Sequence, residues 1–282
     1  MESIKINGKT VQAVSPEGQT ASISLEQLFD AAAPPTMSTR GVILPDGVKL
    51  IDSRGHVTFW VHETPPRVYN FKWIAENSPS RFGRGAQYRM VRLALPYMVV
   101  IAGFEGGSLS GLNECFFRTG PLENEDDELL YPALLNCSKF TPQEGRPLSW
   151  ICTANLGPES MMRRGKPKQP MRAGFGGLMH CLLETGFNYS SEDHEGSSWF
   201  TETVKAKVDP RVSGVEAWSK ASEKEPLFVL DVPWLTTGTS VRGVVDRMYQ
   251  LRDCRQGRVV SAGDVARIVF NHCSPRTRRK NL

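Results

Sequence analysis

The run Tyr88-Arg89-Met90-Val91-Arg92-Leu93-Ala94-Leu95-Pro96-Tyr97-Met98-Val99-Val100-Ile101-Ala102-Gly103-Phe104 decides how this chain is read. Its apolar part, Leu93 to Phe104, is the longest such stretch in the sequence, and Pro96 and Gly103 interrupt it. It falls short of the ~18 apolar residues a membrane-crossing helix needs, and reads as buried strand. Two strands result, Tyr88 to Leu95 and Met98 to Phe104, joined at Pro96-Tyr97.

Working outward, further strand signals lie on both sides. Val42-Ile43-Leu44 and Val48-Lys49-Leu50-Ile51 flank Pro45-Asp46-Gly47, a turn in which Gly47 can take positive φ. Val57 to His62 and Arg67 to Trp73 follow, separated by Pro65-Pro66. Glu114 to Arg118 comes after the loop Gly106-Gly107-Ser108. The expectation is a single antiparallel meander of about five strands.

The two ends read differently. Ile4 to Ile6 and Thr10 to Val14 are short strands around the hairpin dipeptide Asn7-Gly8. Ser24-Leu25-Glu26-Gln27 matches a capping box and starts a helix over Leu25 to Ala32, which Ala33-Pro34-Pro35-Thr36 ends as a linker. Gly157 to Gly174, with Arg163, Arg164, Lys166, Lys168 and Arg172, reads as loop. Phe175 to Phe187 is a helix with Leu178, Cys181 and Leu182 on its apolar side. Later, Val241, Val244, Val245, Met248 and Leu251 share one helical face. Val265, Ile268 and Val269 share another, opened by Ser261-Ala262-Gly263-Asp264. The fold class is therefore α+β. Residues 1–40 form an N-terminal β-rich extension, 41–205 the core, and 206–282 a helical C-terminal extension with a basic tail.

Composition excludes several classes. A hydrophobic share of 40% and a charged share of 23% over 282 residues describe an ordinary globular protein. Six cysteines in a chain this long do not suggest a disulfide scaffold. They read as reduced thiols, and Met1-Glu2-Ser3-Ile4-Lys5 carries no signal-peptide pattern, so a cytoplasmic location is expected. The net charge of +4 equals the contribution of Arg276, Arg278, Arg279 and Lys280 in the acid-free tail. Such a tail can touch nucleic acid, but on a frayed terminus it is more often plain solvated chain, so nucleic-acid binding is the weakest reading.

Chemistry concentrates at Cys152, in Ser149-Trp150-Ile151-Cys152-Thr153, where strand-rich sequence gives way to Pro/Gly-rich loop. A thiol held by a scaffold near solvent suits a nucleophile. An acyl carrier also needs a donor for the oxyanion and protection from water. The Asn136 amide can be that donor, and Trp150 either shields the adduct or anchors the loop. The acidic run Glu123, Glu125, Asp126, Asp127 and Glu128 would raise the proton affinity of a nearby thiol, so its better use is to orient an incoming amine. Against this stands the default: a free cysteine beside Trp and Ile is a packed one, as Cys115 and Cys181 are expected to be. Asn136 likewise serves more often at turns and strand ends. His180, Cys181, Cys137 and Cys152 lack paired metal-ligand spacing, and Glu192-Asp193-His194-Glu195 reads as solvated loop.

Tyr131-Pro132, Asn136 and Ile151-Cys152, following an antiparallel meander, resemble the active-site stretch of ubiquitin-conjugating enzymes, where a His-Pro-Asn run precedes an Ile-Cys-Leu run. The closer resemblance is to the bacterial UBC-like branch of that superfamily, which includes protein B of PRTRC systems. There Pro65-Pro66-Arg67, Arg89 to Pro96 and Tyr131 to Cys152 follow in the same order. The likeness covers roughly residues 41 to 200 and departs from the pattern in three places. The histidine is absent, Asn136 stands sixteen positions before Cys152, and Thr153 replaces the common leucine. The resemblance implies a UBC-like fold and a transferase that carries a ubiquitin-like protein as a thioester on Cys152, with Asn136 as oxyanion donor. It requires no metal or small cofactor. The implied partners are the ubiquitin-like protein, an adenylating activating enzyme and a JAB-type metalloprotease that reverses conjugation. Plasmid maintenance or phage defence is the implied setting. The rival from another class is a non-catalytic scaffold of the same fold.

Overall fold

The computed structural model describes residues 3–15, 17–32, 44–80, 85–133, 137–139, 146–153, 156, 169–187, 208–256, 265–266 and 269–270. Asn136, Val42-Ile43, the 33–36 linker, Arg163 to Lys168, the 192–195 cluster, Ser261 to Asp264 and the basic tail lie outside the described residues. The chain divides into two units, 1–39 with 253–282, and 40–252.

In the smaller unit, β1 (Ser3–Asn7), β2 (Thr10–Val14) and β3 (Thr20–Ser24) form an antiparallel three-stranded sheet. Helix α1 (Leu25–Ala32) follows β3 without a gap because the capping box closes in both directions. The Gln27 N–H donates to Ser24 Oγ at 3.0 Å, and the Ser24 N–H donates to Gln27 Oε1 at 2.9 Å. Val11, Ala13, Ala21 and Ile23 alternate inward along their strands and bury against Ala266 and Val269, whose positions in the expected C-terminal helix are helical. Ser24→Ala is expected to cost about 1 kcal/mol, read as roughly fivefold faster amide exchange across Leu25–Ala32.

The larger unit begins with β4 (Val48–Arg54) and β5 (Val57–Thr64), entered through the turn at Gly47, whose φ is 89°. Next come β6 (Arg67–Ile74), β7 (Tyr88–Leu95), β8 (Tyr97–Glu105) and β9 (Ser108–Arg118). These strands do not make one meander. β5 pairs with β8 in an eight-stranded sheet, whereas β6 and β7 pair in a separate sheet of three. The cause lies in the prolines. Thr64 faces Met98 and Arg67 faces Leu95, three residues on along both strands, so the register never shifts and Pro66 stands opposite Pro96. Neither proline has an N–H to give the ladder. One long ribbon is thus cut into two sheets at its proline pair.

β8 returns as β9 through Gly106 and Gly107, both at positive φ (56° and 83°), as a two-residue hairpin turn requires. The hairpin carries β9 six residues further upstream than Glu114, through Ser108, Ser110, Gly111 and Asn113. At the Gly103 bulge the buried Asn113 side chain replaces a ladder partner, accepting the Gly103 N–H at 3.1 Å and donating to Ser110 O at 2.7 Å.

Three further strands of the large sheet are short: β10 (Glu128–Leu130), β11 (Cys137–Lys139) and β12 (Ser149–Ile151). The main path runs β11-β12-β9-β8-β5-β4, antiparallel throughout. Helix α2 (Pro170–Leu183) follows, and β13 (Gly186–Phe187) then joins β6 in parallel. α2 starts within the stretch expected as loop and ends before Phe187. Pro170 sits in its first turn, where a missing N–H costs nothing.

Beyond residue 208 come α3 (Val215–Lys224), β14 (Thr236–Ser240), which pairs with β10, and α4 (Val241–Gln256). This stretch therefore holds a strand beside its helices. The indole of Trp218 on α3 is buried and donates to Ala94 O at 2.8 Å, and Ser222 Oγ accepts the Ala94 N–H at 2.8 Å. Val241, Val244, Val245, Met248 and Leu251 of α4 are all buried, as their spacing predicts. The observed class is α+β with mostly antiparallel sheets. No helix among the described residues is long and apolar enough to cross a membrane.

Candidate functional site

Cys152 is the first residue after β12, and it is half-buried. Cys115, Cys137 and Cys181 are buried. The strand that presents Cys152 is short and held from two sides. On one side Cys137, Ser138 and Lys139 of β11 pair with Ile151, Trp150 and Ser149. On the other, β12 pairs with β9 through Trp150 and Glu114. The Trp150 indole donates to Gly111 O at 3.2 Å, which ties the ring to β9. Of the two roles considered for Trp150, anchoring is the one the hydrogen bond serves.

Behind the thiol segment lies α2. The Cys181 thiol donates to the Cys152 carbonyl at 3.1 Å, so the backbone of the candidate nucleophile is tied to the helix. A turn follows at once, with the Leu156 N–H donating to Thr153 O at 2.9 Å. The helix can lie this close to the sheet because Gly174 faces Leu109: a Cβ there would come within 3.0 Å of the Leu109 Cβ. Phe175, Leu178, Cys181 and Leu182 fill the interface. Phe175 packs 4.9 Å from the His62 ring. Burial lowers the His62 pKa, and its Nε2 meets Asp46 O at 2.8 Å.

The electrostatics of the strand centre on Glu114, which sequence reasoning placed at a strand start and gave no role. Its side chain is 1% exposed, and Oε2 accepts the N–H of both Leu148 and Ser149 at 2.8 Å. Burial raises its pKa from 4.5 to about 7, opposed by those two backbone bonds and by the charge of Arg247. Burial likewise pushes the neighbouring Cys137 thiol well above its ordinary value, with Cys115 adding to the rise. Those two thiols suit packing rather than nucleophilic work.

The acidic run is not gathered around Cys152 by any contact among the described residues. Arg118 pairs with Asp127 at 3.2 Å, and Arg242 pairs with both Glu125 and Asp126. Asp127 also accepts the N–H of Glu123 at 2.7 Å and of Asn124 at 3.1 Å, and these bonds lower its pKa. Glu128 accepts from the Thr236 hydroxyl. These carboxylates brace the β9–β10 connection against α4 instead of standing free for an amine. His180 pairs with Glu184 at 2.7 Å on the exposed side of α2. Tyr131 is buried and donates its N–H to Leu235 O at 2.8 Å. No protein-family model, curated protein or solved structure matches this chain.

Proposed function

We propose that this chain is a ubiquitin-conjugating-like transferase that carries a ubiquitin-like protein as a thioester on Cys152 and passes it to an amine. One observation carries the reading: among the described cysteine side chains Cys152 alone is only half-buried, at a strand end, whereas Cys115, Cys137 and Cys181 are buried. The order of elements supports it as well. The antiparallel strands β4, β5, β8 and β9 precede the thiol segment, and α2 follows, packed on the sheet beside it. That order suits a UBC-like core, into which the β6–β7 hairpin is inserted.

In the first step the Cys152 thiolate attacks the thioester carbonyl that joins the ubiquitin-like protein to its activating enzyme. A new C–S bond forms on Cys152, and the activating enzyme's thiolate leaves. In the second step an amine attacks the Cys152 thioester, a C–N bond forms as the C–S bond to Cys152 breaks, and the departing thiolate takes up the proton that the amine gives up. Thiol exchange is close to isoenergetic, so the protein's work is to position and shield. Asn136 belongs to the same proposal as donor to the oxyanion. A cytoplasmic setting and a JAB-type metalloprotease that undoes the conjugate complete it.

The test is to incubate the chain with ATP, a ubiquitin-like protein and an activating enzyme encoded beside it. The expected product is an adduct that thiol reductant releases and that peptide mass spectrometry maps to Cys152. Stable binding of the ubiquitin-like protein with no covalent adduct under any condition would favour the non-catalytic scaffold.

A further inference from the structure

Strand β12 is three residues long, and one backbone residue pair, Trp150 with Glu114, joins it to β9. β9 itself is secured along its length by β8. The gap in the short ladder is filled by a side chain. Glu114 reaches past its own pairing position and takes the N–H groups of Leu148 and Ser149, each at 2.8 Å. These residues lie immediately before Trp150-Ile151-Cys152. One carboxylate oxygen accepts both bonds, and the other, Oε1, is buried without a hydrogen-bond partner among the described residues. A carboxylate in this position is costly unless something is gained from it.

We propose that Glu114 is a positioning residue for Cys152: it latches β12 to β9 through its two-point grip on Leu148 and Ser149, and so fixes where the thiol stands. This deepens the transferase reading and rests on it, because the latch serves catalysis only if Cys152 is the reacting thiol.

The latch has a sign with respect to pH. Opening β12 would expose the carboxyl to water, where it titrates near 4.5, whereas in the closed strand it holds its proton to about 7. Opening therefore releases a proton between those values and becomes easier as pH rises, by up to about 300-fold. Among the described residues, the groups facing Glu114 are Arg247 from α4 and Cys137 from β11. The residue opposite on β8 is Ile101, which does not titrate. Arg247 donates to Arg146 O at 3.0 and 2.7 Å, and a guanidinium keeps its charge across this range, so its attraction is constant. The Cys137 thiol, pushed upward by burial, stays neutral throughout.

The experiment uses the full chain and two readouts that need no ubiquitin-like protein. Amide exchange over residues 148–151, corrected for intrinsic rates, is followed at pH 5 and pH 8 in the wild type and in Glu114→Gln. The wild type is expected to lose protection by about 100-fold between the two pH values, and Glu114→Gln by under about threefold. Alkylation of Cys152 by iodoacetamide at pH 8, mapped by peptide mass, is expected to quicken about tenfold or more in Glu114→Ala. Equal pH slopes in the wild type and the glutamine variant would overturn the latch, and so would unchanged alkylation in a folded alanine variant. If Glu114→Ala does not fold, the glutamine comparison decides alone. A wild type that passes both readouts yet forms no thioester keeps the latch and loses the transferase. A wild type that forms the thioester with pH-independent protection keeps the transferase and loses the latch.

Discussion

Serine in place of Cys152 is expected to remove the thioester adduct mapped to that position, while the melting temperature stays within about 2 °C of the wild type. The second half of that expectation follows from the surroundings of the residue. Cys152 is half-buried, and its recorded tie to α2 runs through its backbone carbonyl, which serine keeps. The exchange of sulfur for oxygen therefore removes little packing. The first half follows from the other thiols. Among the described side chains Cys115, Cys137 and Cys181 are buried and cannot take over the acyl group, while Cys254 and Cys273 lie outside the described side chains. A serine hydroxyl is a weak nucleophile at its ordinary pKa, so any product would be a slowly formed oxyester that resists reductant and yields to hydroxide. Gel mobility with and without reductant, with mass spectrometry of the remaining band, distinguishes these products. A reducible adduct that persists in the serine variant would move the chemistry to another cysteine.

Glu114→Ala is expected to destabilise the larger unit by about 2–6 kcal/mol, because two buried N–H groups lose their acceptor at about 1–3 kcal/mol each. Against a total stability of about 5–15 kcal/mol this is a large loss. The ionisation of Glu114 adds a pH term whose direction is fixed by its raised folded-state pKa. Its contribution is fully present below pH 4.5 and is lost as pH climbs to about 7, a fall of about 3 kcal/mol. His62 acts the other way: burial lowers its pKa, so its contribution grows as pH rises through the range where the unfolded imidazole gives up its proton. Subtracting the urea-unfolding profile of Glu114→Gln from that of the wild type removes the His62 part and isolates the carboxyl. A flat difference between pH 5 and pH 8 would mean that Glu114 does not hold its proton in the folded chain.

Local signals were legible where a few neighbouring residues settle the outcome. Ser24 and Gln27 close their capping box within three positions, and the α4 face from Val241 to Leu251 is set by helical spacing alone. The strands from Val57 to Phe104 could be read from runs of apolar residues, but their partition into sheets could not. That partition depends on Pro66 meeting Pro96 across thirty positions, which no window of sequence contains. β9 before Glu114 was hidden because Ser108, Ser110, Gly111 and Asn113 are poor strand formers placed there by the hairpin turn. β14 was missed for a similar reason: Thr236-Thr237-Gly238-Thr239-Ser240 pairs with β10 across more than a hundred residues. At the candidate site, Cys152 was legible as a polarisable residue at a strand-to-loop change. Glu114 was not, since its partners Leu148 and Ser149 lie 34 and 35 positions away and donate through backbone N–H groups that leave no mark in the sequence.

The proline pair also constrains how the chain can change in length. Because both halves of the ribbon share one pairing frame, a single residue inserted between Pro65 and Arg67 would offset one arm against the other. Every inward side chain of β6 beyond it, Phe71 and Trp73 among them, would swing to the opposite face unless β7 gained a matching residue near Pro96. Insertions and deletions at this joint are thus expected to be tolerated only in compensating pairs, whereas the 75–87 connection at the far end is free of that bookkeeping.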